Sequence, residues 1–352
     1  MRILIGIQGT GNGHISRCAA LAEALQRYSV DVDYLVSGRE RSALFDMQVF
    51  GDFAWRQGLT FAVKDGRLAL LETLQRNRWR TFWNDVNALD LSAYDLVVSD
   101  FEPVTAWAGR QQQQRVIGIG RQFAFFDRLP SLPVQATQRQ LLRWFAPVSD
   151  AVGMHWLADS PSILPPVIHQ RATTQAAVNE QQIIVYLPFE PLAAVHRLLA
   201  AFPAYQFHIF HPQAERKSID HLHYYAPSRH EFADVFASSN GVISNAGFET
   251  ASEALAAGKK LLVRPLAGQF EQQANATCLA DQRLATVMSE LDPQIVGEWL
   301  QQGRAKKFHW PHVADHIAQW LASGAEQPVH ELSQKVWRQC EFDDYYGLLQ
   351  HG

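Results

Sequence analysis

The sequence predicts an α/β protein with two facing Rossmann-like domains, each built on a doubly wound parallel sheet, and a cleft between them. Short apolar runs alternate with longer amphipathic segments from the first residues onward, which is typical of βαβ units. A polar stretch preceded by prolines interrupts this alternation near the middle of the chain, and the alternation then starts again. The length of 352 residues is sufficient for about two hydrophobic cores.

The first domain is predicted at residues 1–164. Its strands are expected at the short apolar runs 3–7, 33–36, 96–98, 116–119 and 151–154. A helical stripe at residues 15–28 separates the first two runs. Because ligands of such sheets bind beyond the carboxyl ends of the strands, one wall of the cleft is expected to come from this domain.

A linker is predicted at residues 165–182, where Pro165 and Pro166 precede a stretch rich in Thr, Ala and Gln. The second domain is expected at residues 183–328, with strands at 183–187, 206–210, 241–244 and 260–263. Helical spacing of Leu332, Val336 and Trp337 then predicts a closing helix within residues 329–352.

Composition excludes several classes of protein. Hydrophobic residues make up 47% and charged residues 19% of the chain, which is typical of a globular protein. The formal net charge of -4 leaves no excess of positive charge for a nucleic acid backbone. Three scattered cysteines predict a reducing compartment, so we expect a cytoplasmic protein. No apolar run approaches the ~20 residues that a membrane span requires.

Peripheral contact with the inner face of a membrane stays open. Trp79 and Trp83 lie on one helical stripe among Arg76, Arg78 and Arg80, which fits a membrane-surface or acceptor-binding patch. Packing of the two tryptophans into the core, with a solvated basic face, explains the same pattern.

The most informative segment begins where the apolar run 241–243 enters a turn of small residues and then a helix. The free N–H groups of a helix N-terminus can hold a diphosphate, so Ser244, Asn245 and Gly247 are candidate donor-binding residues. Thr250 and Glu253 share one face of this helix, where a hydroxyl can reach phosphate and a carboxylate can accept hydrogen bonds from ribose. The segment therefore predicts a nucleotide-sugar site.

A second polar segment is expected to contact the sugar. Gln269, Glu271 and Gln272 follow the predicted strand 260–263 and the helix breaker Pro265. Carboxylate and amide groups are the partners that sugar hydroxyls require.

A glycine-rich turn that contains Gly11, Asn12 and Gly13 follows the first strand and is expected to approach a phosphate or the acceptor. The dinucleotide fingerprint G-x-G-x-x-G fails, because His14 or Ser16 stands at the third glycine position. An NADP site, with arginines after the second strand holding the phosphorylated ribose, is retained as an alternative.

His14 opens the first helix and is a candidate general base, although it also fits a histidine that only satisfies turn carbonyls. Asp100 ends a strand of the same sheet and is expected to orient the imidazole. The alternative for Asp100 is a helix N-cap ahead of Pro103. Glu102 is a candidate for contacting the acceptor.

These residues together resemble the GT-B glycosyltransferases, especially the UDP-sugar group that includes the peptidoglycan N-acetylglucosaminyltransferase. Asn245-x-Gly247-x-x-Thr250-x-x-Glu253 is similar to that family's His-x-Gly-x-x-Ser/Thr-x-x-Glu donor motif, and Glu271-Gln272-x-x-Asn275-Ala276 is similar to its continuation. The resemblance covers nearly the whole chain, and the best match is a less characterised bacterial and archaeal branch.

The resemblance implies inverting transfer from a nucleotide sugar, with UDP as the expected nucleotide, to an acceptor hydroxyl. It implies phosphate contacts for Gly247 and Thr250, ribose contact for Glu253, sugar contacts for Glu271 and Gln272, and a base formed by His14 with Asp100. The chain departs from the motif at Asn245, where many relatives have histidine. An amide carries no charge, so helix N–H groups and Arg264 are expected to contribute more to diphosphate binding.

Two other function classes remain open: a non-hydrolysing UDP-sugar epimerase and a non-catalytic sensor of nucleotide sugars. The acceptor is equally open, and a lipid-linked, glycan or small-molecule hydroxyl fits. No cofactor is expected besides the nucleotide-sugar substrate. No metal is expected either, because no Cys or carboxylate completes a zinc site with His309, His312 and His316.

Overall fold

The structure is a computed structural model that describes residues 1–60, 63–64, 67–68, 77–168, 177–303 and 305–342. Within these residues it contains two seven-stranded sheets. This architecture confirms the predicted fold class of two doubly wound α/β domains.

The first sheet has the order β3-β2-β1-β6-β7-β8-β9, and all its strand pairs are parallel. Its strands are β1 (Arg2–Gln8), β2 (Asp31–Ser37), β3 (Ala54–Trp55), β6 (Leu96–Asp100), β7 (Val116–Gly120), β8 (Asp150–Met154) and β9 (Ile163–Leu164). A separate antiparallel pair is formed by β4 (Val63–Lys64) and β5 (Arg67–Leu68). The helices of this part of the chain are α1 (Asn12–Leu25), α2 (Trp79–Ala88), α3 (Pro103–Gln112) and α4 (Ala136–Phe145).

The second sheet has the order β12-β13-β11-β10-β14-β15-β16 and is parallel except for its β12-β13 edge pair. Its strands are β10 (Asn179–Tyr186), β11 (Gln206–Phe210), β12 (Lys217–Ile219), β13 (Leu222–Tyr225), β14 (Ser239–Asn245), β15 (Lys260–Arg264) and β16 (Thr286–Val287). The helices that follow them are α5 (Leu192–Leu199), α6 (Arg229–Ser238), α7 (Phe248–Ala256), α8 (Phe270–Asp281) and α9 (Pro293–Leu300). Strand β10 starts inside the predicted linker, whose residues 169–176 lie outside the described ranges.

The central strands of both sheets are near-continuous apolar runs because helices cover both of their faces. Strands β6 and β7 are buried along their whole length, as is the apolar part of β14. Asn12, which follows β1, and Tyr186, at the end of β10, line one cavity, so the carboxyl ends of these two strands border the same cleft.

The carboxy-terminal part of the chain returns to the first domain. Helix α10 (Val313–Ala322), which the sequence assigned to the second domain, packs on α1. The Arg27 guanidinium donates two hydrogen bonds of 2.8 Å to the Asp315 carboxylate at this contact. The contact joins α10 to the first domain, and the domain boundary at residue 328 stays a prediction. Helical periodicity identifies an apolar face but not the sheet that it covers.

The predicted closing helix is α11 (Val329–Trp337), which packs against β9. Ser333 Oγ and Trp337 Nε1 both donate to the carbonyl of Ile163, at 2.6 and 2.9 Å. A short antiparallel pair, β17 (Phe308–His309) and β18 (Glu341–Phe342), flanks these helices. Residues 343–352 of the predicted closing segment lie outside the described ranges.

None of the helices within the described ranges combines the length and the apolar character that crossing a lipid bilayer requires.

Candidate functional site

A cavity of about 350 Å³ lies between the two domains. Asn12 and Gly13 line it from the first domain, and Tyr186, Thr250 and Glu253 line it from the second. Residues 227–230, between β13 and the first turn of α6, form a further wall. The structure thus brings the predicted glycine turn and the predicted donor helix to the same cavity.

The amino-terminal end of α7 is open toward a ligand. Gly247 is its N-cap residue, and no side chain caps the helix. A Cβ atom built on Gly247 would meet no atom within 4 Å, so backbone N–H groups can be approached closely here. This geometry suits an anion, because the first N–H groups of a helix lack intrahelical partners and lie at its positive end.

Glu253 lies one turn further along α7 and lines the cavity. Burial raises the pKa of this carboxyl group to about 7. A carboxylate that has lost hydration gains free energy from any donor that replaces the lost water. Two vicinal hydroxyls of a ribose are donors of this kind.

Buried polar groups meet at the carboxyl ends of β14 and β15. Ser244 Oγ and Asn245 Oδ1 are buried and have no hydrogen-bond partner within the described residues, while Asn245 Nδ2 donates to the carbonyl of Arg264 at 2.9 Å. The Arg264 guanidinium forms an ion pair with Glu190 at 2.5 Å. Its Nε atom has no hydrogen-bond partner within the described residues. The cation expected to assist diphosphate binding is therefore already partly neutralised by a neighbouring carboxylate.

The second polar segment begins α8, with Gln269 as the N-cap residue. Gln272 is buried and its Oε1 accepts a hydrogen bond of 3.0 Å from the N–H of Leu266. This oxygen holds the preceding turn, and contact of the Gln272 side chain with a sugar stays a prediction. Glu271 points across the cleft, where its Oε2 accepts a hydrogen bond of 3.0 Å from Gln122 Nε2.

His14 and Asp100 meet as the sequence predicted, with 2.8 Å between His14 Nδ1 and Asp100 Oδ1. Arg17 binds the same carboxylate through Nε at 3.0 Å and Nη2 at 2.6 Å. Burial opposes ionisation of Asp100, but Arg17 and His14 outweigh it and lower its pKa to about 2. Asp100 is therefore a permanent carboxylate that can orient an imidazole and stabilise its charged form.

Arg17 also connects this pair to helix α7, the predicted donor helix. Its Nη1 forms an ion pair with Glu249, which lies in the first turn of α7. No role for either residue follows from the sequence. Arg17 lies three positions after His14 and so shares its helix face, which was the available signal. Nothing local in the sequence identified Glu249 as its partner.

The direction of Asp100 depends on the backbone of the next residue. Phe101 adopts the left-handed conformation with φ 54°. The turn leaves Asp100 at the cleft and turns Glu102 inward, where its carboxylate accepts from the N–H groups of Val104 and Thr105 at 2.8 and 2.7 Å. Glu102 is fully buried as the N-cap of α3, so the expectation that it contacts an acceptor is wrong. The capping role considered for Asp100 belongs to Glu102.

The glycine turn lies against the second domain. Gly11 is the N-cap of α1, and Asn12 Nδ2 donates to the Tyr186 hydroxyl at 3.0 Å. Arg39 donates to Asn12 Oδ1 at 2.9 Å and to the carbonyl of Thr10 at 3.0 Å. Arg39 is one of the arginines after the second strand that an NADP site would use. Because its guanidinium holds the glycine turn instead, the arrangement does not support the NADP alternative.

Gly120 provides a test of the contact between Asp100 and Arg17. Its φ is 154°, and a Cβ there would lie 2.9 Å from Asp100 Oδ1 and 3.1 Å from Arg17 Nη2. We expect Gly120→Ala to lower the free energy of unfolding by about 1–3 kcal/mol, from backbone strain. The displaced carboxylate should also reduce turnover of the folded enzyme about tenfold or more.

Thermal unfolding and steady-state turnover measure the two effects separately. Gly51→Ala is the matched control, because Gly51 also has a positive φ (57°) but its Cβ would meet no atom within 4 Å. Equal loss of turnover in both variants would contradict the specific role of Gly120.

Other candidates from the sequence lie away from the cleft. In the part of the chain that the structure describes, no three or more His, Cys, Asp or Glu side chains form a group that could hold a metal ion. Trp79 and Trp83 are half-buried, and their rings lie 6.1 Å from Trp144 and 5.1 Å from Trp107. This favours the packing interpretation of the tryptophans. Arg76 lies outside the described residues.

Comparison with known proteins is consistent with this geometry. The family model described as "Glycosyl transferase family 1" matches residues 1–302. No curated protein matches the chain by sequence at a significant level. Solved structures do share the fold across nearly the whole chain.

One is the glycosyltransferase SnogD from Streptomyces nogalater, with 16% identity and a TM-score of 0.55 over 96% of this chain and 99% of that one. A second is MurG from Acinetobacter baumannii, with 18% identity and a TM-score of 0.53 over 96% and 94% of the two chains. A third is LpCGTa in complex with UDP, with 12% identity and a TM-score of 0.56 over 95% and 97%.

Proposed function

The chain belongs to glycosyl transferase family 1, and we propose that this glycosyltransferase is an inverting, metal-independent enzyme. The donor is a nucleotide sugar, with UDP as the nucleotide, and the acceptor provides a hydroxyl group. The second domain binds the donor and the first domain presents the acceptor, as the resemblance of their motifs implies.

One observation carries the proposal: the glycine turn and helix α7 meet at one cavity, which Gly13 and Glu253 line, and the next residue, His14, is held by Asp100 at 2.8 Å. The proposed base therefore directly follows a residue of the cavity that contains the proposed ribose acceptor. The structure of LpCGTa was solved in complex with UDP, and that enzyme shares the present fold. The choice of UDP follows from this likeness and from the donor motif.

The chemistry follows from the arrangement. His14 Nε2 takes the proton of the acceptor hydroxyl while the acceptor oxygen forms a bond to the anomeric carbon of the sugar. The bond between that carbon and the diphosphate oxygen breaks, and its electron pair leaves with the nucleoside diphosphate. Attack and departure occur on opposite faces of the sugar, so the configuration is inverted.

Backbone dipoles of α7 stabilise the leaving diphosphate. Negative charge develops on an oxygen at the end of a helix whose N–H groups are preorganised, which makes electrostatic stabilisation effective without a metal ion. Glu253 holds the ribose, and Glu271 binds hydroxyls of the transferred sugar.

Binding and turnover with a panel of nucleotide sugars test the proposal. We expect UDP-sugars to raise the unfolding temperature more than GDP- or dTDP-sugars, and transfer to an acceptor panel to persist within twofold in excess EDTA. Stereochemistry of the product at the anomeric carbon tests inversion. Loss of transfer in EDTA, with recovery on adding Mg²⁺ or Mn²⁺, would contradict metal independence.

The same panel separates the alternative functions. A change of the donor sugar without an acceptor would indicate the epimerase. Tight stoichiometric binding with no turnover on any acceptor would indicate the sensor.

A further inference from the structure

Gln122 lies between the proposed base and the proposed sugar-binding acid. It belongs to a short 3₁₀ segment (Arg121–Phe126) that follows β7 at the carboxyl edge of the first sheet. Its Nε2 is 3.0 Å from Glu271 Oε2 and 3.4 Å from His14 Nε2. One amide therefore contacts both walls of the cleft at the point where acceptor and donor sugar have to meet.

The neighbours of Gln122 fix its position. Arg121 is buried and donates to Asn275 Oδ1 at 3.1 and 2.6 Å, and Asn275 Nδ2 donates to the carbonyl of Ala246 at 3.0 Å. On its other side, the Phe123 ring is buried against Phe101. The segment is thus anchored to both domains, so the Gln122 side chain is held in the cleft.

The amide determines which imidazole nitrogen is free. An amide nitrogen only donates, so its contact with His14 Nε2 requires a lone pair on that nitrogen. The proton then lies on Nδ1, from which it is donated to Asp100. This is the tautomer that a general base needs. Arg17 Nη2, 3.0 Å from His14 Nδ1, acts in the opposite direction, because a guanidinium donor favours the tautomer with its proton on Nε2.

The Gln122 amide makes the hydrogen bond that a reacting hydroxyl has to make, since both donate to Nε2 of His14. With Gln122 in place, the His14 side chain is only 12% exposed. The other end of the amide, Oε1, is buried and has no partner within the described residues. A buried acceptor without a donor is costly, and a hydroxyl of a bound substrate would satisfy it.

We propose that Gln122 is a positioning residue that occupies the place of the acceptor hydroxyl at His14 until an acceptor arrives. An arriving hydroxyl displaces the Gln122 amide nitrogen from His14 Nε2. The amide oxygen of Gln122, Oε1, then accepts a hydrogen bond from the acceptor. The acceptor therefore presents a second donor group, such as a neighbouring hydroxyl, beside the reacting one. This inference rests on the proposed function and adds to it the selection of acceptor over water.

Hydrolysis is the competing reaction that Gln122 suppresses. A water molecule at the same place would lose its proton to His14, its oxygen would bond to the anomeric carbon, and the bond to the diphosphate would break. The products would be free sugar and nucleoside diphosphate. The amide excludes this water because it occupies the hydrogen-bonding position at Nε2.

The test measures transfer and donor hydrolysis side by side in Gln122→Ala and Gln122→Glu, with Gln111→Ala, an exposed glutamine, as the matched control. Gln122→Ala is expected to raise the ratio of hydrolysis to transfer about five- to tenfold and to raise KM for the acceptor, with the Kd of UDP unchanged. Gln122→Glu keeps the volume but cannot donate to Glu271, so its transfer rate should fall at least tenfold.

An unchanged ratio of hydrolysis to transfer in Gln122→Ala would overturn the proposal and assign a purely structural role, as would wild-type transfer in Gln122→Glu. If Gln122→Ala does not fold, the transfer rate of Gln122→Glu still tests the proposal. Failure of the proposed function itself is distinguishable, because the unmodified enzyme would then transfer no sugar at all.

Discussion

Replacing His14 with alanine is expected to reduce sugar transfer by a factor of roughly 10²–10⁴, the usual contribution of a positioned general base. The reason is that His14 Nε2 is the nitrogen that faces the cleft, while Nδ1 is engaged by Asp100 at 2.8 Å. Without the imidazole, the acceptor hydroxyl has no group to which it can lose its proton. The measurement is the initial rate of transfer at saturating donor and acceptor.

Nucleotide binding separates this role from a structural one. The proposed donor-binding groups lie on α7 and α8, so the Kd of UDP should stay within about twofold in His14→Ala. His312→Ala, which removes an exposed histidine outside the cleft, is the control and should leave both quantities unchanged. Transfer at the wild-type rate by a folded His14→Ala enzyme would refute the assignment of the base.

Replacing Glu253 with glutamine is expected to weaken nucleotide-sugar binding about 10- to 100-fold, which is the size of a hydrogen bond to a charged group. The carboxylate lies in the cavity and burial raises its pKa to about 7. Only the ionised form accepts both ribose hydroxyls. Wild-type affinity should therefore rise as pH increases from 6 to 8 and fall about tenfold per unit well below pH 7.

Titration calorimetry with an intact nucleotide sugar across this pH range tests the prediction, and Glu253→Gln should remove the pH dependence. A 2′-deoxy donor gives an independent check, because it should lose affinity with wild type but not with Glu253→Gln. The exposed Glu298→Gln is the matched control. Equal affinity of wild type and Glu253→Gln for the ribose donor at pH 8 would falsify the ribose contact.

The sequence predicted the placement of several candidate groups because these groups are local in the chain. The spacing of Gly247, Thr250 and Glu253 follows from the pitch of one helix, and the structure places Thr250 and Glu253 on the cavity. His14 and Asp100 were paired from the rule that parallel strands end at the same edge of a sheet, and they lie 2.8 Å apart.

Predictions failed where one residue could serve two partners of similar chemistry. Glu102 and Asp100 are both acidic residues near the start of α3, and the left-handed turn at Phe101 decides that Glu102 is buried as the cap. The sequence likewise did not indicate that the Gln272 amide oxygen holds the backbone of Leu266. Residue type limits the possible partners, and backbone direction selects among them.

The sequence by itself determined the two α/β domains, the helix α7 and the pairing of a histidine with a carboxylate. Hydrophobic period, helix pitch and strand order are properties of neighbouring residues, so they can be read along the chain. Only the tertiary structure decided that Arg17 joins Asp100 to Glu249, that Gln122 spans His14 and Glu271, and that α10 packs on α1. These contacts connect residues far apart in sequence, and their formation depends on how two separate domains are placed against each other, which no local pattern specifies.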